Sequence, residues 1–326
     1  MRLLNGLGCS RFGQPPIRAS TSPGRQLVGS TPPKGAPRAM SEALAGLWAA
    51  VWRRIAPRAN LPASGLKVRA YASDAPMRAM MDWKPDWKTQ AIAAILAHRR
   101  GALIDVGANV GQTLLDFLNA PQRSTYVGFE PNLTCYQHLA AFISGNNLHQ
   151  CRVIPAGLGD KNGIADLYRL GGDVDSGGTT LRDLRPRDQV KADACCIFRL
   201  DDLGDLTAGA GIALVKIDTE GSELDVLRGM EATIRASQPW ILCEVLHRDE
   251  LAEAGPYRRR CAELMRLLAE LGYRVQRVLH DDGRIERLED VSEFPGQVWT
   301  DESIRLCDYL FMPASDRSLT DKVLLG

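Results

Sequence analysis

The sequence predicts a doubly wound α/β fold, and three stretches carry the prediction. The first runs Leu103-Ile-Asp-Val-Gly-Ala-Asn-Val-Gly111, a short apolar run closed by an acid and a glycine turn. From Gln112 its pattern turns helical, with Leu114, Leu115 and Leu118 on one side. The second, Tyr126-Val-Gly-Phe129, reads as a strand ending in Glu130. The third, Ile212-Ala-Leu-Val-Lys-Ile-Asp218, repeats the first: an apolar strand, an acid at its carboxyl edge, a glycine turn, and a helix burying Leu224, Leu227, Met230 and Ile234. Strands alternating with helices build a parallel sheet whose ligands bind beyond the carboxyl ends of the strands.

The first turn points to a nucleotide-like ligand. Asp105 stands at the strand's carboxyl edge, and Gly107 and Gly111 let the backbone turn sharply and a ligand come close. Asn109, inside the same turn, joins them as a candidate cofactor contact. A dinucleotide fingerprint needs G-x-G-x-x-G, whose second glycine makes room for a pyrophosphate. This chain has D-x-G-x-x-x-G instead. Glu130 suits the two hydroxyls of a ribose, yet an acid about 20 residues past the loop also serves NAD. Glu130 alone therefore does not separate the two cofactors.

Composition sets the bounds. The 326 residues are 45% apolar and 24% charged, ordinary for a globular protein. They allow one domain of about 250 residues plus an extension. A formal net charge of +1 gives no reason to expect a nucleic-acid partner. No run reaches the roughly 18 apolar residues that span a bilayer. The eight cysteines form no C-x-x-C pair, so no zinc or other metal site is expected. Several lie in apolar runs, as buried free thiols do. With no secretory signal visible, a reducing cytoplasm is the expected location.

Residues 1–40 hold six basic residues and no acid among many Pro, Ser and Gly. They are expected to be a disordered basic arm, or an extension ahead of a true start at Met40; the composition also suits a transit peptide. Residues 41–80 are expected to hold a short amphipathic helix, 41–55, and a loose linker. Arg53 and Arg54 would let that helix rest on its own domain, a partner or a membrane surface. The main domain is expected over 81–326. It opens with a helix from Asp86 carrying Trp87, Ile92 and Ile95 on one face.

Past Glu130 the pattern gives a helix over 133–143 and a strand at Cys151–Pro155. The turn at 157–163 follows, where Asp160 is either an adenine contact or an ordinary turn residue. Two strands, 164–170 and 194–200, read as a small antiparallel insertion, and the polar loop between them as a substrate-facing lid or plain loop. Ser222 and Asp225 have capping-box spacing. Lys216, Asp218 and Glu220 are polar groups at a buried strand's end, and Glu244 interrupts the apolar run of Trp240–Leu246, with His247 just beyond. Buried charge without a partner is costly, so Lys216 is expected either in a local salt bridge or in a functional role. A helix at 256–271 and strands at 273–279 and 308–312, joined by a polar connection, complete the chain. His280, His138 and His149 read as surface or structural histidines.

These residues support a family resemblance. V-K-I-D-T-E-G-S-E at 215–223 is similar to the signature of the FkbM methyltransferases, with Thr219 in place of the usual Val. I-D-V-G-A-N-V-G-Q, G-F-E-P and C-E-V-L-H match the same family, over roughly 81–315. The resemblance implies a class I, Rossmann-like sheet of seven strands, mostly parallel, with an antiparallel last strand. It also implies S-adenosyl-L-methionine as cofactor and O-methylation of a sugar, glycan or polyketide-type hydroxyl.

On that reading the cofactor is held by Asp105, Gly107, Asn109, Gly111, Glu130 and Asp160. Asp218 or His247 acts as base, and Glu220 and Glu244 orient the acceptor. A divalent ion is a weaker possibility that nothing in the spacing requires. The competing expectations are an NAD-dependent oxidoreductase and a non-catalytic nucleotide-binding partner protein.

Overall fold

The structure is a computed structural model that describes residues 58–60, 67–69, 83–170, 179–180, 189–246, 254–281, 283–295, 300, 303–316, 320 and 323–324. The basic arm and the helix expected at 41–55 lie outside the described residues. Within the expected linker, β1 (Arg58–Asn60) pairs antiparallel with β2 (Lys67–Arg69), so part of that stretch is an ordered hairpin.

The domain opens with α1 (Trp87–His98). Asp86 caps it: its side chain accepts from the Thr89 N–H, and the Thr89 hydroxyl accepts from the Asp86 N–H, a reciprocal capping box. Then follow β3 (Ala102–Val106), α2 (Gln112–Asn119), β4 (Tyr126–Phe129), α3 (Leu133–Gly145) and β5 (Cys151–Ile154). A second sheet comes next, built from β6 (Gly157–Leu158), β7 (Gly163–Leu170), β8 (Thr179–Thr180) and β9 (Gln189–Phe198). The main sheet resumes with β10 (Ile212–Ile217), α4 (Glu223–Arg228), α5 (Glu231–Ser237), β11 (Trp240–Glu244) and α6 (Ala254–Glu270). It ends with β12 (Tyr273–His280), β13 (Ile285–Asp290) and β14 (Asp308–Pro313).

The main sheet has the order β13-β12-β14-β11-β10-β3-β4-β5. Its five strands from β11 to β5 are parallel, and β14 enters antiparallel between β11 and β12. The seven-strand expectation is one short. The missing strand, β13, lies in the polar connection, where I-E-R-L-E-D offers an edge strand with no buried face to announce it. The insertion is present, with β7 antiparallel to β9. Residues 171–178 of the expected lid lie outside the described residues, and Thr179–Thr180 pairs with β7.

The sheet's two faces bury two separate cores. Ile95, Leu103, Phe117 and Leu310 pack on the side of α1 and α2. Ile104, Val127, Leu227 and Phe311 pack on the other side. Successive strand residues alternate between these faces, and that alternation aims the site residues described below.

Two local expectations are corrected. The helix after Ser222 is broken into α4 and α5 at Gly229, where a Cβ would stand 1.9 Å from the Gly159 carbonyl oxygen. Ser222 makes no side-chain cap bond. The Glu223 carboxylate does that work instead, accepting from the Gly221 N–H at 2.8 Å and the Thr219 hydroxyl at 3.1 Å.

Candidate active site

The site lies where the chain reverses direction across the sheet. From β3 the chain steps outward to β4 and β5, then returns to the opposite side of β3 as β10. The carboxyl ends of β3 and β10 therefore flank a topological switch point, where open α/β sheets bind ligands. The Asp218 N–H donates to the Val106 carbonyl at 3.0 Å and ties the two ends together. Gly107 packs against them at φ 82°, where a Cβ would fall 1.9 Å from the Asp218 carbonyl oxygen. Only glycine closes this turn. Asn109 is also left-handed, at φ 48°.

Glu130 fixes that loop from the end of β4. Its carboxylate accepts from the N–H groups of Asn109 and Asn132, both at 2.7 Å. Burial, leaving the residue 4% exposed, pushes its carboxyl up to about 7 against the pull of those two N–H groups. A carboxylate has about four acceptor positions, so two remain for ligand hydroxyls.

Asp105 is fully buried. Its Oδ2 accepts the Tyr126 hydroxyl at 2.6 Å, while Oδ1 takes no hydrogen bond and lies 3.5 Å from Lys216 Nζ. Burial pushes its carboxyl up despite Lys216 and Tyr126. The ion pair with Lys216 leaves Oδ1 without a hydrogen bond, a position that a ligand N–H could fill. Lys216 sits in the local ion-pair network that its buried position demanded, 3.3 Å from Asp218 and donating to the Gly107 carbonyl at 3.0 Å.

Next to this loop, under α1, lies a small cleft. Lys88, Asp116, Lys216, Asp218, Glu244 and Asp308 bring its ionisable groups, and Ile217 and Leu242 also line it. Strand alternation explains the convergence. Leu103, Leu214, Leu242 and Leu310 face α1 and α2, so Asp105, Lys216, Glu244 and Asp308, two residues along each strand, face the same way. Glu244 and Asp308 are also direct cross-strand partners.

Among the described residues, none donates to the Glu244 carboxylate. Burial, together with the repulsion of Asp218, Asp308 and Glu220, pushes it up to about 8 against the pull of Lys88. Asp218 goes the other way: burial opposes ionisation, but Lys216 and Lys88 outweigh it and hold the carboxyl below its ordinary value.

The remaining expected site residues are scattered. Glu220 lies half-buried in the turn after β10, at the unusual φ of 54°, and does not line the cleft. Asp160 is exposed after β6, and His247 lies outside the described residues. Sequence reasoning missed Lys88 and Asp308, although both left a signal. Lys88 is a cation in a helix's first turn, where the dipole favours acids, and Asp308 opens an otherwise buried strand. His280, read as structural or superficial, has a side chain only 7% exposed; it stacks on Trp87 at 4.5 Å and meets Asp308 Oδ2 at 3.1 Å.

Fold and site define a class: a doubly wound α/β domain with a nucleoside-type loop and an ionisable pocket beside it. The family model described as "Methyltransferase FkbM domain" matches residues 105–275, just over half of the chain. The chain belongs to the FkbM methyltransferase family, and this is a domain of the S-adenosylmethionine-dependent class.

A curated relative, the AMB antimetabolite synthetase AmbE of Pseudomonas aeruginosa, is 28% identical over 205 residues. That match takes in 53% of this chain and only 9% of the relative's length. The FkbM methyltransferase structure from Methylobacillus flagellatus KT is 16% identical, with 74% of this chain and 55% of that one covered and a TM-score of 0.39. A SAM-dependent methyltransferase structure from Aquifex aeolicus is 9% identical, with 73% and 88% covered and a TM-score of 0.32. Both scores are low, so the fold rests on the strand order above.

Proposed function

We propose that the chain is an O-methyltransferase that carries a methyl group from S-adenosylmethionine to a hydroxyl of a small molecule, a sugar or glycan or a polyketide-type compound. Glu130 takes the ribose hydroxyls on its free acceptor positions. The Gly107–Gly111 loop with Asn109 lies along the nucleoside, Asp105 faces the amino-acid tail, and Asp160 is left for the adenine amine. When bound, the cofactor supplies a methyl group on a positively charged sulfur.

Glu244 carries the O-methylation reading. A hydroxyl is a poor nucleophile, and a base that helps it works best with a pKa near the operating pH. Glu244, pushed up to about 8 and without a hydrogen-bond donor among the described residues, meets that requirement in the cleft. Its carboxylate accepts the hydroxyl proton as the oxygen gains its methyl group. Asp218, kept ionised by Lys216, is a weaker base and orients the acceptor. Holding both reactants in line removes roughly 7–11 kcal/mol of barrier. A small-molecule acceptor is also supported by the name of the AmbE relative, an antimetabolite synthetase. The buried thiols of Cys151, Cys195 and Cys243, not joined in disulfides, suit a cytoplasmic setting.

The test is transfer of labelled methyl to a panel of hydroxylated acceptors. Glu244→Gln should cut turnover by about 10²–10⁴ and leave cofactor affinity intact. Label found on nitrogen or carbon, or full turnover by Glu244→Gln, would overturn the reading.

A further inference from the structure

Antiparallel pairing sets Glu244 directly opposite Asp308. Cross-strand partners have Cβ atoms about 4.5–5.5 Å apart, and like charges there repel. A carboxylate pair so placed needs a cation. Lys216 is already divided between Asp105 and Asp218. Lys88, reaching over from α1, places Nζ 3.5 Å from Asp308 Oδ1 and 5.5 Å from the centre of the Trp87 ring. Its position runs against the helix dipole, so helix stability does not explain it. His280 occupies the other oxygen of Asp308 at 3.1 Å and stacks on Trp87, which fastens the first turn of α1 to β12 and β14.

We propose that Lys88 is a positioning residue: by pairing with Asp308, the cross-strand partner of Glu244, it balances the charge beside the Glu244 carboxylate. This rests on the reading of Glu244 as the base. Lys88 of α1, Asp116 of α2, Lys216 and Asp218 of β10 and Asp308 of β14 line the cleft with Glu244, and Glu220 acts on it from the turn after β10. Lys88 is the attraction opposing burial and the acids at Glu244. The family match starts at residue 105 and ends at 275, so both members of the Lys88–Asp308 pair lie outside it.

The test is a ¹³C NMR titration of the full chain labelled at glutamate Cδ, with the Glu244 signal assigned by its loss in Glu244→Gln. Lys88→Met removes an attraction for the ionised form, so the Glu244 midpoint should rise by about one pH unit, a tenfold change in proton affinity. Lys88→Arg should restore the wild-type midpoint. Asp308→Asn removes a repulsion, so the midpoint should fall; where Lys88→Met does not fold, Lys88→Gln, which keeps a polar head beside Asp308, should give the same rise. An unchanged midpoint in Lys88→Met, or a rise in Asp308→Asn, would overturn the proposal. A purely structural Lys88 leaves the midpoint unchanged in Lys88→Met and Lys88→Gln. The titration needs no acceptor, so its failure is separate from failure to methylate a hydroxyl.

Discussion

Gly107 shows how narrow the tolerances of this site are. A methyl group there meets the Asp218 carbonyl at 1.9 Å, in a backbone conformation of φ 82° that disfavours any side chain. Gly107→Ala should destabilise the domain by about 3 kcal/mol or more, seen as a lower midpoint in chemical denaturation at constant slope. A variant as stable as wild type would mean the β3–β10 junction is looser than described. At this scale the sequence was partly legible. Asp105, Gly107 and Glu130 announced themselves, because an acid or glycine ending an apolar strand breaks the pattern locally. Lys88 did not stand out as a site residue, because its partner Asp308 is 220 positions away and only the fold brings them together. Glu244 was legible as a buried acid, but its standing relative to Asp218 depends on which acid Lys216 holds.

At the scale of elements, the strand that became β3 was legible from Leu103 onward, since a buried apolar run closed by an acid and a glycine leaves little choice. Edge strand β13 and the break between α4 and α5 were not legible. The first lacks an apolar face, and the second is imposed by a backbone contact from Gly159. The wall of the cleft depends on how α1 is held. Asp116 of α2, buried and pushed up to about 7 by that burial, accepts the Trp83 indole N–H at 2.9 Å and the Thr89 hydroxyl at 2.6 Å. Asp116→Ala leaves both donors without their acceptor, at a cost of about 1–3 kcal/mol. Hydrogen exchange should show α1 opening ahead of β3 and β10 in this variant. Uniform loss of protection across all three elements would contradict a local role.

For the whole molecule, the cleft is assembled from residues between Trp87 and Tyr309, while the family match, 105–275, covers the middle of that span. The fold class could be read from sequence because the strand-turn-helix unit recurs; the charged cleft could not, because its walls come from opposite ends of the domain. On the proposed reading, the switch point binds S-adenosylmethionine through Glu130. Calorimetric titration of the full chain with S-adenosylmethionine, S-adenosylhomocysteine and NAD, at pH 6 and pH 8, tests it most directly. The Glu130 carboxyl is pushed up to about 7 by burial, and its ionised form is the better acceptor for hydroxyls. Binding therefore releases a proton, and affinity should tighten from pH 6 to pH 8. Glu130→Gln should bind more weakly and without that pH dependence, and NAD should give no heat. NAD binding in place of both methionine derivatives, or a Glu130→Gln protein that binds like wild type at both pH values, would contradict the account.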